Sequence, residues 1–182
     1  PFSDESRFAS SLQTSYNWAS KNNLDTVYKI NKFIEDYGAR ELINLSEARI
    51  NNRLSDLGSR IVNREEKIRR ICIAGPSSSG KTSFSNRLLF ELMARSLRPV
   101  RISMDNFYIP RGELKPGTDI ESIDAIDLPF FNSVRNQLIR GEEVTLPVYD
   151  FKEGKRKTGK KIQLDEDQPI IIEGIHALNP LS

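Results

Sequence analysis

Arg70-Ile71-Cys72-Ile73-Ala74, running straight into Gly75-Pro76-Ser77-Ser78-Ser79-Gly80-Lys81-Thr82, decides how this chain folds. The first five residues are a short, mainly apolar run, the pattern of a strand buried in a parallel sheet. The next eight fit G-x-x-x-x-G-K-[ST] at every position. A helical pattern follows from Lys81 to Ser96. Strand, glycine-bounded turn and helix, in that order, are what a phosphate-wrapping loop needs. The glycines let the backbone close around an anion, and N–H groups from about Ser77 to Thr82 turn inward. The helix N-terminus adds positive potential. Nucleotide phosphates are therefore expected on Gly75, Ser77, Ser78, Ser79, Gly80, Lys81, Thr82 and Ser83. Lys81 neutralises the β- and γ-phosphates, and the Thr82 hydroxyl is placed to ligate Mg²⁺.

Working downstream, Val100-Arg101-Ile102-Ser103 reads as a second strand, and Ser103-Met-Asp105-Asn-Phe-Tyr108 closes it. A carboxylate at that strand end faces the γ-phosphate and can accept a proton from an attacking hydroxyl. Pro110 to Thr118 reads as loop. Leu128-Pro129 opens a helix carrying Phe130, Val134, Leu138 and Ile139 and ending at Gly141. Val144 to Tyr149 reads as an edge strand interrupted by Pro147. Lys161 to Leu164 is expected to pair with it across a basic, solvated hairpin tip. Pro169-Ile170-Ile171-Ile172-Glu173 is a third apolar strand, ending in a carboxylate. Ligands of such sheets bind at the carboxyl ends of the strands, so Glu173 is expected beside the phosphate loop, holding the metal or its water. Alternating strands and helices predict an α/β fold with a parallel sheet flanked by helices. The abrupt stop after the third apolar run suggests that this sheet is truncated on its C-terminal side.

The first third reads as helix. Phe8, Leu12, Tyr16 and Ala19 recur at helical spacing, with Trp18 read as core. Asp25 is the expected cap of a second helix bearing Val27, Ile30, Phe33 and Ile34, which Gly38 ends. A longer pattern runs from about Ala39 to Arg64. The expected organisation is a helical segment or connector at 1–66 and a partial phosphate-loop domain at 67–182.

Composition bounds the function. Of 182 residues, 37% are hydrophobic and 29% charged, and the net charge is +2. No run is long enough to cross a membrane. One Cys and one His exclude a disulfide framework and a zinc finger. The single Cys, Cys72, is expected to be buried in its strand, and His176 to serve loop packing. Lys152 to Lys161 holds six basic residues and one Glu. The remaining 21 basic and 24 acidic residues balance at −3. A whole-domain nucleic-acid surface is not expected on that balance. No signal peptide is apparent, so a cytoplasmic protein is expected. A GTPase is unlike this chain, since Asn31-Lys32-Phe33-Ile34 lacks the required Asp and no Asp-x-x-Gly occurs.

The phosphate loop, Ser103-x-Asp105-x-Phe107-Tyr108, Leu146-Pro-Val-Tyr149-Asp150-Phe151 and Ile171-Ile-Glu173-Gly-Ile175 occur in one order. In that order they resemble the uridine kinase and phosphoribulokinase group of P-loop kinases, over about residues 67–181. Ser46-Glu-Ala-Arg-Ile50 and Ile175-His176-Ala-Leu-Asn179-Pro180 resemble a branch whose N-terminal region is similar to the accessory domains of threonyl-tRNA synthetase. The resemblance implies ATP·Mg²⁺-dependent phosphorylation of a nucleoside 5′-hydroxyl. By motif match it implies Asp105 as general base, Tyr108, Glu121 and Tyr149 on the acceptor, and Glu173 near the metal. Two positions depart from the group. Glu121-Ser-Ile-Asp124-Ala-Ile-Asp127 stands where Asp-His-Pro-x-Ala-Phe-Asp is usual, and Gly154 stands near where a His is usual. A different small hydroxylated acceptor is the alternative these departures open, and an ATP-binding regulatory or ATPase module is a second. A homo-oligomer is left open. Without the group's arginine-bearing lid, this stretch is expected to bind nucleotide better than it turns over.

Overall fold

The computed structural model describes residues 4–180, with side chains from residue 9 onward. The chain divides into two compact units, 1–53 and 54–182.

The first unit is helical. Helix α1 spans Asp4–Lys21, α2 spans Val27–Tyr37, and α3 begins at Ala39 and continues to Val62 in the second unit. Phe8 lies outside the described side chains, whereas Leu12 and Tyr16 are exposed. Trp18 is partly buried and carries the Arg49 guanidinium 4.2 Å above its ring. The cap of α2 differs from expectation. Thr26, with an extended backbone, accepts from Lys29 N, while Asp25 pairs with Lys29 Nζ at 2.8 Å. A carboxylate one residue too early reaches a side-chain ammonium more readily than the helix amides. Gly38, at φ 93°, ends the helix with its N–H on Ile34 O.

The second unit holds a three-stranded parallel sheet and a hairpin. Strand β1 is Arg70–Ile73, β2 is Val100–Ser103 and β5 is Ile170–Glu173, in the order β1-β5-β2. The register pairs Ile73 and Ser103 with Glu173 on either side, so all three strand ends finish level. Every residue of β5 is buried, as expected of a parallel strand covered on both faces. One face of the sheet packs on helix α4, Lys81–Ala94, where Leu88, Leu92 and Ile171 meet Leu54 and Ile61 of α3. The other face meets helix α5, Leu128–Ile139, through Ile102, Ile170, Ile172, Phe131, Val134 and Leu138. Asp127 caps α5 by accepting from Phe130 N, with Pro129 in its first turn, where a missing N–H costs nothing.

Two expectations are corrected. Cys72 is exposed, not buried. It lies on β1, where Arg70 and Cys72 are exposed and Ile71 and Ile73 half-buried, so the face carrying Cys72 is left uncovered. The basic stretch is also mostly strand, not loop. Strand β3 spans Val144–Asp150 and β4 spans Lys155–Ile162, and the turn between them is only Phe151–Gly154. Alternation of lysines with Arg156, Gly159 and Ile162 hides the strand in composition. Three of its cations are matched: Lys157 pairs with Asp150, Lys161 with Glu143, and Arg156 with Asp127. Pro147 is accommodated by a shift of register between Thr145 and Pro147, the usual remedy for a residue that cannot donate.

Candidate active site

The phosphate loop joins β1 to α4. Gly80 sits at φ 85°, a left-handed conformation that a Cβ would strain, and Ser78 shares it at φ 57°. The first intrahelical bond is Phe84 N to Gly80 O at 2.9 Å. The amides of Lys81, Thr82 and Ser83 therefore precede the helical ladder and point along its dipole. A Cβ on Gly75 would come within 2.8 Å of Ser79 Oγ and 3.3 Å of Lys81 Cγ, so only glycine lets the loop close this tightly. Lys81 Nζ donates to Pro76 O at 2.6 Å, across the mouth of the loop. Ser77, Ser78, Ser79, Thr82 and Ser83 are exposed along the rim.

Glu173 ends β5 beside this loop, 5% exposed. The fully buried Ser85 hydroxyl donates to Glu173 Oε2 at 2.8 Å and also lies 3.0 Å from Thr82 O. It joins the first turn of α4 to the strand end. Burying a carboxylate is costly without such a donor. Ser85 was not singled out by sequence; the signal that could have found it is its i+3 spacing from Thr82, which puts both on one side of the helix. The oxygen donors here suit a hard cation. Magnesium is characteristically held by one or two carboxylates plus phosphate oxygens, and Thr82 and Glu173 offer one hydroxyl and one carboxylate. No group of three or more His, Cys, Asp or Glu side chains able to hold a metal alone occurs among the described residues.

Asp105 lies in a short 3₁₀ turn, Met104–Phe107, directly after β2. The turn packs closely against the end of β5. A Cβ on Gly174 would meet Met104 Cβ at 2.9 Å, and Met104 itself is buried. Burial pushes the Asp105 carboxyl above the ordinary carboxylate range. Lys81 pulls it back down, Glu173 pushes it further up, and His176 again lowers it. Asp105, Lys81, Glu173 and His176 thus share one electrostatic environment at the level strand ends. A carboxyl shifted toward neutral pH and held beside a lysine is suited to take a proton.

Tyr108 and Tyr149 lie together next to this turn, ring centroids 5.6 Å apart. Phe151 is 4.9 Å from Tyr149. Asn106 Oδ1 accepts from Tyr149 N at 3.1 Å, tying the hairpin to the Asp105 turn. Asn106 is a second structural residue that its place in a short motif did not reveal. Tyr108 is 6% exposed. Burial raises the pKa of its hydroxyl, and Asp105, Glu121, Tyr149 and Asp119 raise it further. Glu121 is exposed and stands in the loop before Ser122. The 107–109 segment is fastened by Ile109 N to Ala125 O and Asp127 N to Phe107 O, both 2.9 Å. The structure thus brings Asp105, Lys81 and Glu173 to one end of the sheet and sets Tyr108, Tyr149 and Glu121 on the side of Asp105.

Comparison with known proteins bears on the family. The family model described as "Phosphoribulokinase / Uridine kinase family" matches residues 70–180, more than half of the chain. Uridine-cytidine kinase C of Dictyostelium discoideum is 31% identical over 107 residues, covering 59% of this chain and 23% of that protein. Uridine kinase of Lactobacillus helveticus is 31% identical over 113 residues, covering 59% of this chain and 52% of that one. The chain therefore spans about a quarter of the Dictyostelium protein and about half of the Lactobacillus one. A solved structure of a possible uridine kinase from Bacillus stearothermophilus superposes with a TM-score of 0.63 at 22% identity, over 73% of this chain and 75% of that chain. That likeness concerns the fold. Taken with the glycine-built loop, the level strand ends and the family match across them, the chain belongs to the phosphoribulokinase/uridine kinase family.

Proposed function

We propose that this chain carries the catalytic half of a phosphotransferase that moves the γ-phosphoryl group of ATP to a hydroxyl of a small acceptor, with a pyrimidine nucleoside 5′-hydroxyl as the first candidate. The observation that carries the reading is the sharing of one environment by Asp105, Lys81 and Glu173. Family membership and the named relatives support the reaction class.

In this reading the loop amides and Lys81 hold the β- and γ-phosphates and stabilise charge as it develops on the transferring group. Magnesium, were it bound with the nucleotide, would offset the phosphate charge, and Thr82 and Glu173 are the residues that would hold it. Asp105 takes the acceptor proton. The acceptor oxygen forms its bond to the γ-phosphorus as the bond to the β–γ bridging oxygen breaks, leaving ADP. Tyr108 and Tyr149 supply flat surfaces for a base or sugar, and Glu121 accepts acceptor hydroxyls. A different small hydroxylated acceptor is the second reading, favoured by Glu121 and Gly154.

We further propose that 1–66 is a connector and 67–182 the kinase portion, in the branch with the synthetase-like N-terminal region. Cytoplasmic location belongs to the same reading. No helix among the described residues is long and apolar enough to cross a membrane.

The test is ADP release from ATP·Mg²⁺ with uridine, cytidine and a panel of other hydroxylated acceptors. Acceptor-dependent release abolished by Lys81→Ala and by Asp105→Asn supports the reading. Release that is equal with and without every acceptor points to an ATPase instead.

A further inference from the structure

His176 was expected only to pack a loop, yet it spans the site. Its Nε2 lies 2.8 Å from the carbonyl oxygen of Glu121, 55 residues away in sequence. A carbonyl oxygen can only accept, so Nε2 carries the proton and donates. The ring is held from behind by the turn that follows β5, where Ala177 N bonds Gly174 O and Asn179 N bonds His176 O. It therefore projects from the same short segment that begins with Glu173. Across from it, the Glu121 segment is a tight loop. Glu121 N donates to Asp119 Oδ1 at 2.9 Å, Ser122 N donates to Asp119 O at 3.0 Å, and Ser122 Oγ accepts from Asp124 N. The charged and titratable groups facing Asp105 are Lys81 from the phosphate loop, Glu173 from β5, Tyr108 from its own segment, and His176 itself.

We propose that His176 is a positioning residue of this site: its Nε2–H fastens the Glu121 backbone to the end of β5. The acceptor side and the phosphate side of the cleft are thereby held at one spacing by one side chain. A side-chain amide can copy the fastening and an apolar side chain cannot, so substitution isolates the role. The inference goes beyond the proposed reaction and rests on it only for its kinetic arm.

The experiment compares His176→Gln and His176→Leu in the full-length protein. Glutamine keeps a donor for the Glu121 carbonyl; leucine supplies none. Amide exchange is followed at Glu121 and Ser122, and turnover is measured with ATP and uridine. Expected is faster exchange at Glu121 and Ser122 in the leucine variant alone. In turnover, the uridine KM rises several-fold in that variant while the ATP KM holds. Should the leucine variant fail to fold, His176→Asn, whose amide is too short to reach, replaces it. Exchange as slow in the leucine variant as in the parent overturns the fastening. A parent protein inert toward uridine overturns the nucleoside reading alone, and the exchange readout still decides the His176 assignment.

Discussion

Ser85, on the second turn of the helix that follows the phosphate loop, gives its hydroxyl proton to Glu173 at the end of the central strand, and both residues are buried. This contact fixes the carboxylate that would face the metal. Ser85→Ala leaves a buried carboxylate oxygen without its donor, a loss of about 1–3 kcal/mol in stability. Groups that orient a metal ligand are typically worth about 10–100-fold in metal affinity or activity. The expected result is a raised Mg²⁺ requirement for ADP release with a small change in ATP affinity at saturating Mg²⁺, read by titrating Mg²⁺ in steady-state assays.

Lys81 donates to Pro76 O at the rim and is not part of either hydrophobic cluster. Lys81→Ala should therefore leave thermal unfolding close to that of the parent, within the roughly 0.5 kcal/mol typical of surface changes. Its effect on turnover is large, because one donor aimed at developing charge is worth about 10²–10³ in kcat. Parallel melting curves and ADP-release assays separate the two. A variant that melts much earlier would assign Lys81 a structural role.

Asp105→Asn should lower turnover by roughly 10²–10⁴-fold if Asp105 is the proton acceptor. The same substitution should raise the melting temperature at neutral pH. Burial, the first cause of its shift, makes the folded chain hold the Asp105 proton more tightly than the unfolded chain does. The stability tied to this carboxyl is then highest at low pH. It declines as pH rises from the unfolded pKa through the raised folded one, and stays lost above. Asparagine removes that decline. By the same displacement, the acidic limb of kcat/KM, which reports the free enzyme, lies above the ordinary carboxylate range. Melting curves across pH, with and without the substitution, check the first point, and a pH–rate profile checks the second.

Gly174→Ala places a Cβ 2.9 Å from Met104 Cβ in a region where Met104 is 1% exposed. Overpacking of this kind costs about 1–3 kcal/mol. Relief comes most simply by moving the Met104–Phe107 turn, and with it Asp105. The expected signature is a loss of turnover out of proportion to the loss of stability, with nucleotide affinity retained. Equilibrium nucleotide binding alongside turnover measures it.

The phosphate loop was legible because its chemistry constrains residue type at every position. The three apolar strands were legible because each carries a short run of mainly apolar residues, although only β5 is buried along its whole length. Strand β4 was not, because several of its side chains answer carboxylates instead of a core; Lys155 to Lys161 reads as a solvated tip until Asp150, Glu143 and Asp127 are set beside it. The exposure of Cys72 was hidden for the converse reason, since an apolar run carries no mark of which face is left uncovered. The Thr26 cap was missed by one residue, within the reach of a competing Asp25–Lys29 pair. Ser85 and Asn106 were not singled out, and His176 was read as loop packing, because each acts through a partner distant in sequence.

Strand β5 lies between β1 and β2, and neither of those strands touches the other. During synthesis, the phosphate loop and the Asp105 turn therefore leave the ribosome long before the strand that joins them. Until Ile170–Glu173 has emerged, β1 and β2 are two unpaired ribbons with open hydrogen-bonding edges, a state exposed to aggregation. Assembly of the cleft is a late, non-local event of the slow kind. A nascent chain arrested before Ile170 should bind no nucleotide, and one released just after the end of β5 is the first able to bring Lys81, Asp105 and Glu173 together.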